Sequence, residues 1–317
     1  EYDGAAIYVM EHFGIKKRFF ASSITRATGV MGLLTGIGVT NFFNSSLFSN
    51  IEYSWRIPFL LSMPLAFISL YYRNFLEETP DFINLKKTLN KKPSTYSVNS
   101  VKKNHSKYNN IINFVMMIVI SGGVGVTYQI SIIFVKTYLP ILFSNTEINL
   151  LNLSLINNIH SFLIVLFFGL TMLFTGYIST KTSHIKIVQL SFISTIIGSI
   201  ALITGISNNS IFIVYISTLL IACSIAPFNA LAHGIAIKLF SISNRYKSIS
   251  ITHTTGSMFI ASGANYLCTN MIHKYNMLFF PIYYTVFWSM LVTLLIQIIE
   301  YNTNYTQEIT QNKITTS

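Results

Sequence analysis

The stretch Trp55–Phe82, W-R-I-P-F-L-L-S-M-P-L-A-F-I-S-L-Y-Y-R-N-F-L-E-E-T-P-D-F, decides the fold class of this chain. From Ile57 to Tyr72 it carries no charge, as a helix crossing a hydrocarbon core requires. Trp55 and Arg56 open the run, and Arg73, Glu77 and Glu78 close it, so both ends suit a headgroup region. The closing L-E-E-T-P-D-F reads as a charged cytoplasmic signature. Within it, Thr79-Pro80 supplies an N-cap and a first helical position. A short surface helix is predicted from there to about Leu89, with Phe82 and Leu85 turned to the bilayer or the bundle.

Similar apolar runs recur on both sides of this block. Complete spans are predicted at roughly 19–43, 56–72, 111–138, 159–178, 187–206, 211–238, 248–271 and 277–300, each near the ~20 residues a bilayer requires. Residues 1–12 read as the second half of a further span. Hydrophobic residues make up 51% of the 317-residue chain and charged residues 10%. None of the runs alternates polar and apolar residues as a barrel strand must. The fold class is therefore all-α integral membrane protein, because helices are the remaining way to satisfy the backbone in lipid.

The net charge of +11 marks topology rather than a nucleic-acid partner. Lys16, Lys17 and Arg18, the basic residues from Arg73 to Lys107, Lys181 and Lys186, Arg245 and Lys247, and Lys313 all fall on one side of the predicted spans. Lys274 stands alone in the opposite loops. This positive-inside pattern puts the basic loops and the C-terminus in the cytoplasm. The segment 73–110 is too polar to bury a core and reads as a cytoplasmic linker. Cys223 and Cys268 lie inside apolar spans without metal spacing and read as packing residues. Glu1 lies ten residues before Glu11, about 15 Å along a helix. With Glu11 at the cytoplasmic edge, Glu1 falls near mid-bilayer. The expectation is that upstream helices are missing, or that the product is a remnant.

Four blocks then carry a resemblance: E-Y-D-G-A-A-I-Y-V-M-E at 1–11; W-R-I-P-F-L-L-S and L-E-E-T-P-D-F at 55–62 and 76–82; V-T-Y-Q-I-S-I-I-F-V-K-T-Y-L-P at 126–140; and I-A-P-F-N-A-L through L-F-S-I-S-N-R-Y-K-S-I-S at 225–250. They resemble the metabolite–proton symporters of the major facilitator superfamily, the proline/betaine transporters in particular. The resemblance implies a twelve-helix fold of which about 8.5 helices are present. Residues 1–72 would be the rest of the N-terminal bundle (helices 4–6), 73–110 the linker, 111–301 the C-terminal six-helix bundle (helices 7–12) and 302–317 a cytoplasmic tail. It also implies residence in a bacterial inner membrane, and a monomer is expected. Three positions depart from the family pattern. Asp3 stands where the family has Gly. The latch motif after the eighth helix appears as Gly176-Tyr-Ile-Ser-Thr180-Lys181-Thr-Ser183-His184, with Thr180 in place of its acid and Ser183 in place of its second Gly. The loss of that carboxylate puts efficient transport in doubt.

Polar groups inside a bilayer are costly and invite functional readings. Glu1, Gly4, Ala5 and Tyr8 share a helical face that suits a cavity wall, or Glu1 serves a structural ion pair. Asp3 and Arg26 lie at similar depth and are read either as a compensated buried pair or with Arg26 snorkelling to the headgroups. Tyr128 and Gln129 follow Gly122, Gly123 and Gly125. That grouping fits a binding site, with Tyr128 offering a face to a substrate cation, or a tightly packed helix with one polar contact. Asn229 and His233 share one face at i and i+4, and His233 can carry a proton or simply pack through a hydrogen bond. His253 and Asn265 rank lower. Arg56, Glu77, Glu78, Pro80, Gly176, Lys181 and Arg245 are read as the conformational loop motifs. Gly29, Gly32 and Gly36 form a row suited to helix packing, Lys136 is an outer-interface anchor, and Trp55, Tyr71, Tyr72, Tyr138 and Trp288 form an interfacial belt.

These features favour a secondary transporter over an enzyme. Asp3 and Asp81 are the only aspartates, and the chain contains neither H-E-x-x-H nor G-x-x-x-x-G-K-[ST], the signatures of a metalloprotease and of a phosphate loop. No cofactor is expected; the partners are lipid, protons and a small solute. A single clearly deep cation, Arg26, tilts the solute towards a zwitterion such as proline or betaine. An organic acid, a non-transporting remnant and, less favoured, a multispan enzyme are the alternatives.

Overall fold

The computed structural model describes residues 2–43, 53–90, 107–143 and 150–315. Among these the regular structure is helical: α1 (Tyr2–His12), α2 (Arg18–Phe43), α3 (Ile57–Leu60), α4 (Ser62–Arg73), α5 (Pro80–Asn90), α6 (Lys107–Tyr128), α7 (Val135–Leu142), α8 (Leu150–Ser179), α9 (His184–Ser207), α10 (Ile211–Leu239), α11 (Arg245–Gly256), α12 (Ala264–Tyr275) and α13 (Phe280–Thr315). Two π-helical segments interrupt the regular winding. Gln129–Phe134 joins α6 to α7, and Ser257–Ala261 follows α11.

Five helical stretches among the described residues are long and apolar enough to cross a membrane: Ile111–Leu142, Ile156–Ser179, His184–Ser207, Ile211–Leu239 and Phe280–Asn302. The remaining predicted spans differ for identifiable reasons. Helix α2 has 26 residues, about 39 Å at ~1.5 Å per residue, and is long enough but carries Arg18, Arg26 and several Ser and Thr. The apolar stretch Ile57–Arg73 is shorter and turns at Leu61 between α3 and α4. Span 248–271 is threaded with Ser, Thr, His and Asn and broken by its π segment. At the C-terminus the helix runs to Thr315, through the stretch read as a tail. The predicted linker helix does begin at Pro80, with the amide of Ile83 donating to the Thr79 carbonyl at 3.0 Å.

Helix α10 is the structural axis. It packs against α9, α8, α2 and α6 and is buried along most of its length, from Ser224 to Ile237 without a break. Its small residues Ala222, Ala226, Ala230, Ala232 and Ala236 are buried and admit neighbouring backbones, the mode of association that lipid favours. Ser22 on α2 donates to the Ala230 carbonyl at 2.8 Å. Between α11 and α6 the approach is closer still: a Cβ on Gly256 would stand 2.5 Å from the Ile118 carbonyl oxygen and 2.7 Å from the Gly122 nitrogen. Gly122, Gly123 and Gly125 face Ile260, Val292 and Ala261 in the same way. The row Gly29, Gly32, Gly36 instead meets nothing within 4 Å among the described residues, so the packing predicted for it is not seen. Tyr138 is likewise no belt residue. It is buried and donates to the Leu278 carbonyl at 2.8 Å. Lys136, Tyr71 and Tyr72 are exposed, and the side chain of Trp55 lies outside the described residues.

Candidate functional site

A cavity of about 230 Å³ opens inside the bundle, lined among others by Arg26, Ser121, Tyr128, Gln129, Asn229, His253 and Ser257. Both π-helical segments border it, through Gln129 and through Ser257 and Ala261. A π segment leaves part of the backbone without its regular partners and is found disproportionately at functional sites. The four side chains singled out mid-span, Arg26, Tyr128, Gln129 and Asn229, therefore come together from α2, α6, its π extension and α10. Gln129 accepts from Asn265 Nδ2 at 3.3 Å, and the glycines before Tyr128 pack tightly.

The lining holds unspent polar capacity. Asn229 Nδ2 and Ser121 Oγ are buried with no hydrogen-bond partner among the described residues, and both residues are about 95% buried (5% and 4% exposed). Leaving such a group unpaired costs about 1–3 kcal/mol, so these atoms are where a polar solute would gain most.

His233 sits behind the lining and links two residues expected to pair directly. Arg26 approaches His233 Nδ1 with Nε at 3.0 Å and Nη2 at 2.8 Å. On its other side, His233 Nε2 lies 2.8 Å from Asp3 Oδ1. Asp3 and Arg26 are thus joined through an imidazole, and Arg26 is held inside rather than snorkelling. Asp3 Oδ1 also lies 2.9 Å from His253 Nδ1. Tyr2 covers the group, with its ring 5.7 Å from His233, 6.1 Å from His253 and 5.6 Å from the Arg26 guanidinium carbon. Tyr8 packs instead on His12, ring centroids 4.3 Å apart, away from this lining. Glu1 lies outside the described residues.

A second polar cluster closes the end of the bundle that carries the basic loops. Arg245 Nη1 donates to Glu11 at 2.6 Å and to Asp81 at 3.3 Å, and Arg18 donates to Asp81 at 2.6 Å. Four elements meet there: α1, α2, the linker helix α5 and α11. Beside it Lys238 donates to Glu300 at 2.5 Å, with Phe19 beneath the ammonium. Of the loop residues named from sequence, Arg245 belongs to this cluster and Pro80 starts the helix that presents Asp81. Arg56, Glu77 and Glu78 are exposed. Gly176 packs on Ser23 of α2, and Lys181 reaches back to the Tyr177 hydroxyl at 2.7 Å. Sequence reasoning passed over Glu11 and Asp81 as pairing residues and ranked His253 low. Asp81 in the first turn after Thr79-Pro80 was the available signal.

The fold and the site define an all-α protein with several helices long and apolar enough to cross a membrane and a polar-lined cavity among them. The Major Facilitator Superfamily model matches residues 4–264, and the chain belongs to that superfamily. Among curated relatives, the proline/betaine transporter of Escherichia coli K12 is 26% identical over 298 residues, covering 90% of this chain and 56% of the relative. The glycine betaine/proline/ectoine/pipecolic acid transporter OusA of Dickeya dadantii is 23% identical over 297 residues, with the same coverages. The chain thus spans a little over half the length of these relatives. A solved structure of the proton:xylose symporter XylE, bound to 6-bromo-6-deoxy-D-glucose, superposes with a TM-score of 0.70 at 14% identity, covering 94% of this chain and 66% of that one. The relatives are transporters, not enzymes.

Proposed function

We propose that this chain serves proton-coupled symport of a small zwitterionic solute, of the proline or betaine kind, with its basic loops and C-terminus facing the cytoplasm. One observation carries the reading: the cavity presents a half-buried guanidinium, an aromatic ring and unpaired amide and hydroxyl groups to the same small space. Arg26 matches a carboxylate, and Tyr128 offers a π-face to a quaternary ammonium or iminium. Asn229 and Ser121 supply the remaining polar contacts. At about 230 Å³ the cavity falls below the ~300–1,000 Å³ typical of drug-sized ligands, which favours a compact solute. The solutes in the relatives' names point the same way.

The test is uptake of labelled proline and glycine betaine into proteoliposomes carrying the intact gene product, at two inward proton gradients. Accumulation should rise with the gradient and collapse with a protonophore. If neither solute accumulates, this reading fails. A second reading, a relative that no longer transports, has one observation in its favour: Thr180 stands where the latch motif is acidic, and its hydroxyl donates to the Tyr177 carbonyl of its own helix at 2.8 Å.

A further inference from the structure

The hydrogen-bond chain behind the cavity has a fixed proton assignment. Every nitrogen of a guanidinium is a donor, so His233 Nδ1, approached by both Nε and Nη2 of Arg26, must be the acceptor. The proton of neutral His233 therefore sits on Nε2 and is donated to Asp3 at 2.8 Å. His253 Nδ1, at 2.9 Å from the same oxygen, donates as well. His253 lines the cavity, while Asp3 and His233 are 7% and 2% exposed.

A metal ion is the first alternative, because one ligand atom each from Asp3, His233 and His253 lies within 4.8 Å of the others. Arg26 argues against it. A metal-bound imidazole turns its other nitrogen, as an N–H donor, towards an acceptor; here that nitrogen meets a cation. The polarity of this chain suits a proton instead.

We propose that Asp3, His233 and His253 form one proton-binding unit that sets whether Arg26 is available to a solute carboxylate. This rests on the symport reading above. In the unloaded state the Arg26 charge is balanced by the Asp3 carboxylate through the His233 imidazole. A proton taken from cavity water onto His253 Nε2 makes an imidazolium whose Nδ1–H stays bonded to Asp3. That carboxylate is then neutralised locally, and Arg26 becomes a half-buried cation lacking its counter-charge. A solute carboxylate supplies it. The reverse order is equivalent: a carboxylate placed on Arg26 makes the neighbourhood more negative and strengthens proton binding at His253, since coupling between two binding sites is reciprocal. Release of the proton to water on the other side restores the starting balance. The imidazole rings are close enough for such coupling, with centroids 5.3 Å apart.

The ionisable groups facing the unit come from each element around it: Tyr2 from α1, Arg26 from α2, His233 from α10 and, across the cavity, Tyr128 from α6. Glu11, at the other end of α1, is eight residues from Asp3, about 12 Å along the helix, and is engaged by Arg245.

The experiment has two arms on the intact gene product. In the first, proline and glycine betaine affinities are measured by calorimetry at pH 6 and pH 8, with proton uptake on binding followed in weakly buffered solution. Native protein should bind about tenfold tighter at pH 6, within the usual 5- to 150-fold range of coupling between sites, and take up a proton with the solute. Asp3→Asn and His253→Gln should abolish both effects while the protein still folds. Binding that is pH-independent in native protein would overturn the inference, even with uptake intact. In the second arm, ¹⁵N-histidine spectra in nanodiscs report the His233 tautomer, needing no solute. They should show the proton on Nε2 and a changed signal in Arg26→Ala. A proton on Nδ1 would overturn the proposal. If neither solute binds, the symport reading fails and the coupling to a carboxylate falls with it.

Discussion

Replacing Arg245 by alanine should open the end of the bundle that carries the basic loops. Arg245 is 7% exposed and Glu11 8%, and the 2.6 Å bond between them is the contact that balances the Glu11 carboxylate. Without the guanidinium, Asp81 keeps Arg18 at 2.6 Å, whereas Glu11 becomes an uncompensated buried charge. Removing one partner of a buried pair costs about 3–5 kcal/mol, and each ~1.4 kcal/mol is a factor of ten in an equilibrium. The closed corner should therefore lose ground to states in which Glu11 is hydrated, by a factor on the order of 10²–10³. Spin labels on Lys16 and Lys247, both exposed, report the opening by pulsed electron resonance, in a background with Cys223 and Cys268 replaced by alanine. Arg245→Ala should add a longer-distance population. Adding Glu11→Gln should largely restore the short one, because a neutral amide has no charge left to compensate. That rescue separates loss of an ion pair from general damage. An unchanged distance distribution in a folded Arg245→Ala protein would refute the reasoning, as would a double variant no closer to native than the single.

The same geometry sets three further outcomes. Asn229→Leu removes a buried amide nitrogen that has no partner among the described residues, so thermal stability in detergent should hold or rise, while the solute KM rises about tenfold or more, on the scale of one lost buried hydrogen bond of ~1–3 kcal/mol. Gly256→Ala forces a methyl to within 2.5 Å of the Ile118 carbonyl; overpacking of about 1–3 kcal/mol should lower the melting temperature by several degrees, with Gly263→Ala, whose Cβ would meet nothing within 4 Å, as the comparison. Asp81→Asn leaves the Arg245–Glu11 bond in place and should add a smaller longer-distance population than Arg245→Ala, whereas the joint replacement Glu77→Gln and Glu78→Gln should leave the distance unchanged, since both glutamates stand in the open.

The depth of a polar residue was legible in the sequence; its partner was not. Counting ~1.5 Å per residue from a charged edge places Arg26 and Asp3 at one level, and a period of 3.6 puts Asn229 and His233 on one face. Those two rules need only local helical geometry, and the bilayer makes each mid-span polar group conspicuous. The group between Asp3 and Arg26 depends on how α1, α2 and α10 are rotated about their axes, and His233 is 207 residues from one and 230 from the other. The same limit explains the loop motif: Glu77 and Glu78 are the more conspicuous charges, but Asp81 sits in the first turn of α5, and the docking of that helix decides which carboxylate meets Arg18 and Arg245.

The π segments expose the limit most directly. A π turn takes up more residues than an α turn, and each extra residue rotates the rest of the helix by about 100°. A helical wheel drawn from residue 248 therefore loses its phase at Ser257, and one drawn from residue 111 loses it at Gln129. Nothing in S-M-F-I-A or Q-I-S-I-I-F announces the change, because the bulge is stabilised by tertiary packing: Gly256 lets α11 lie backbone to backbone on α6, and Ile260 and Ala261 fit over Gly122 and Gly125. Gln129 and Ser257 both line the cavity. The packing surface read into these glycines is seen, and the π segments beside it border the cavity. Close approach of α6 and α11 is flanked by these two irregular turns, and residues from both line the cavity.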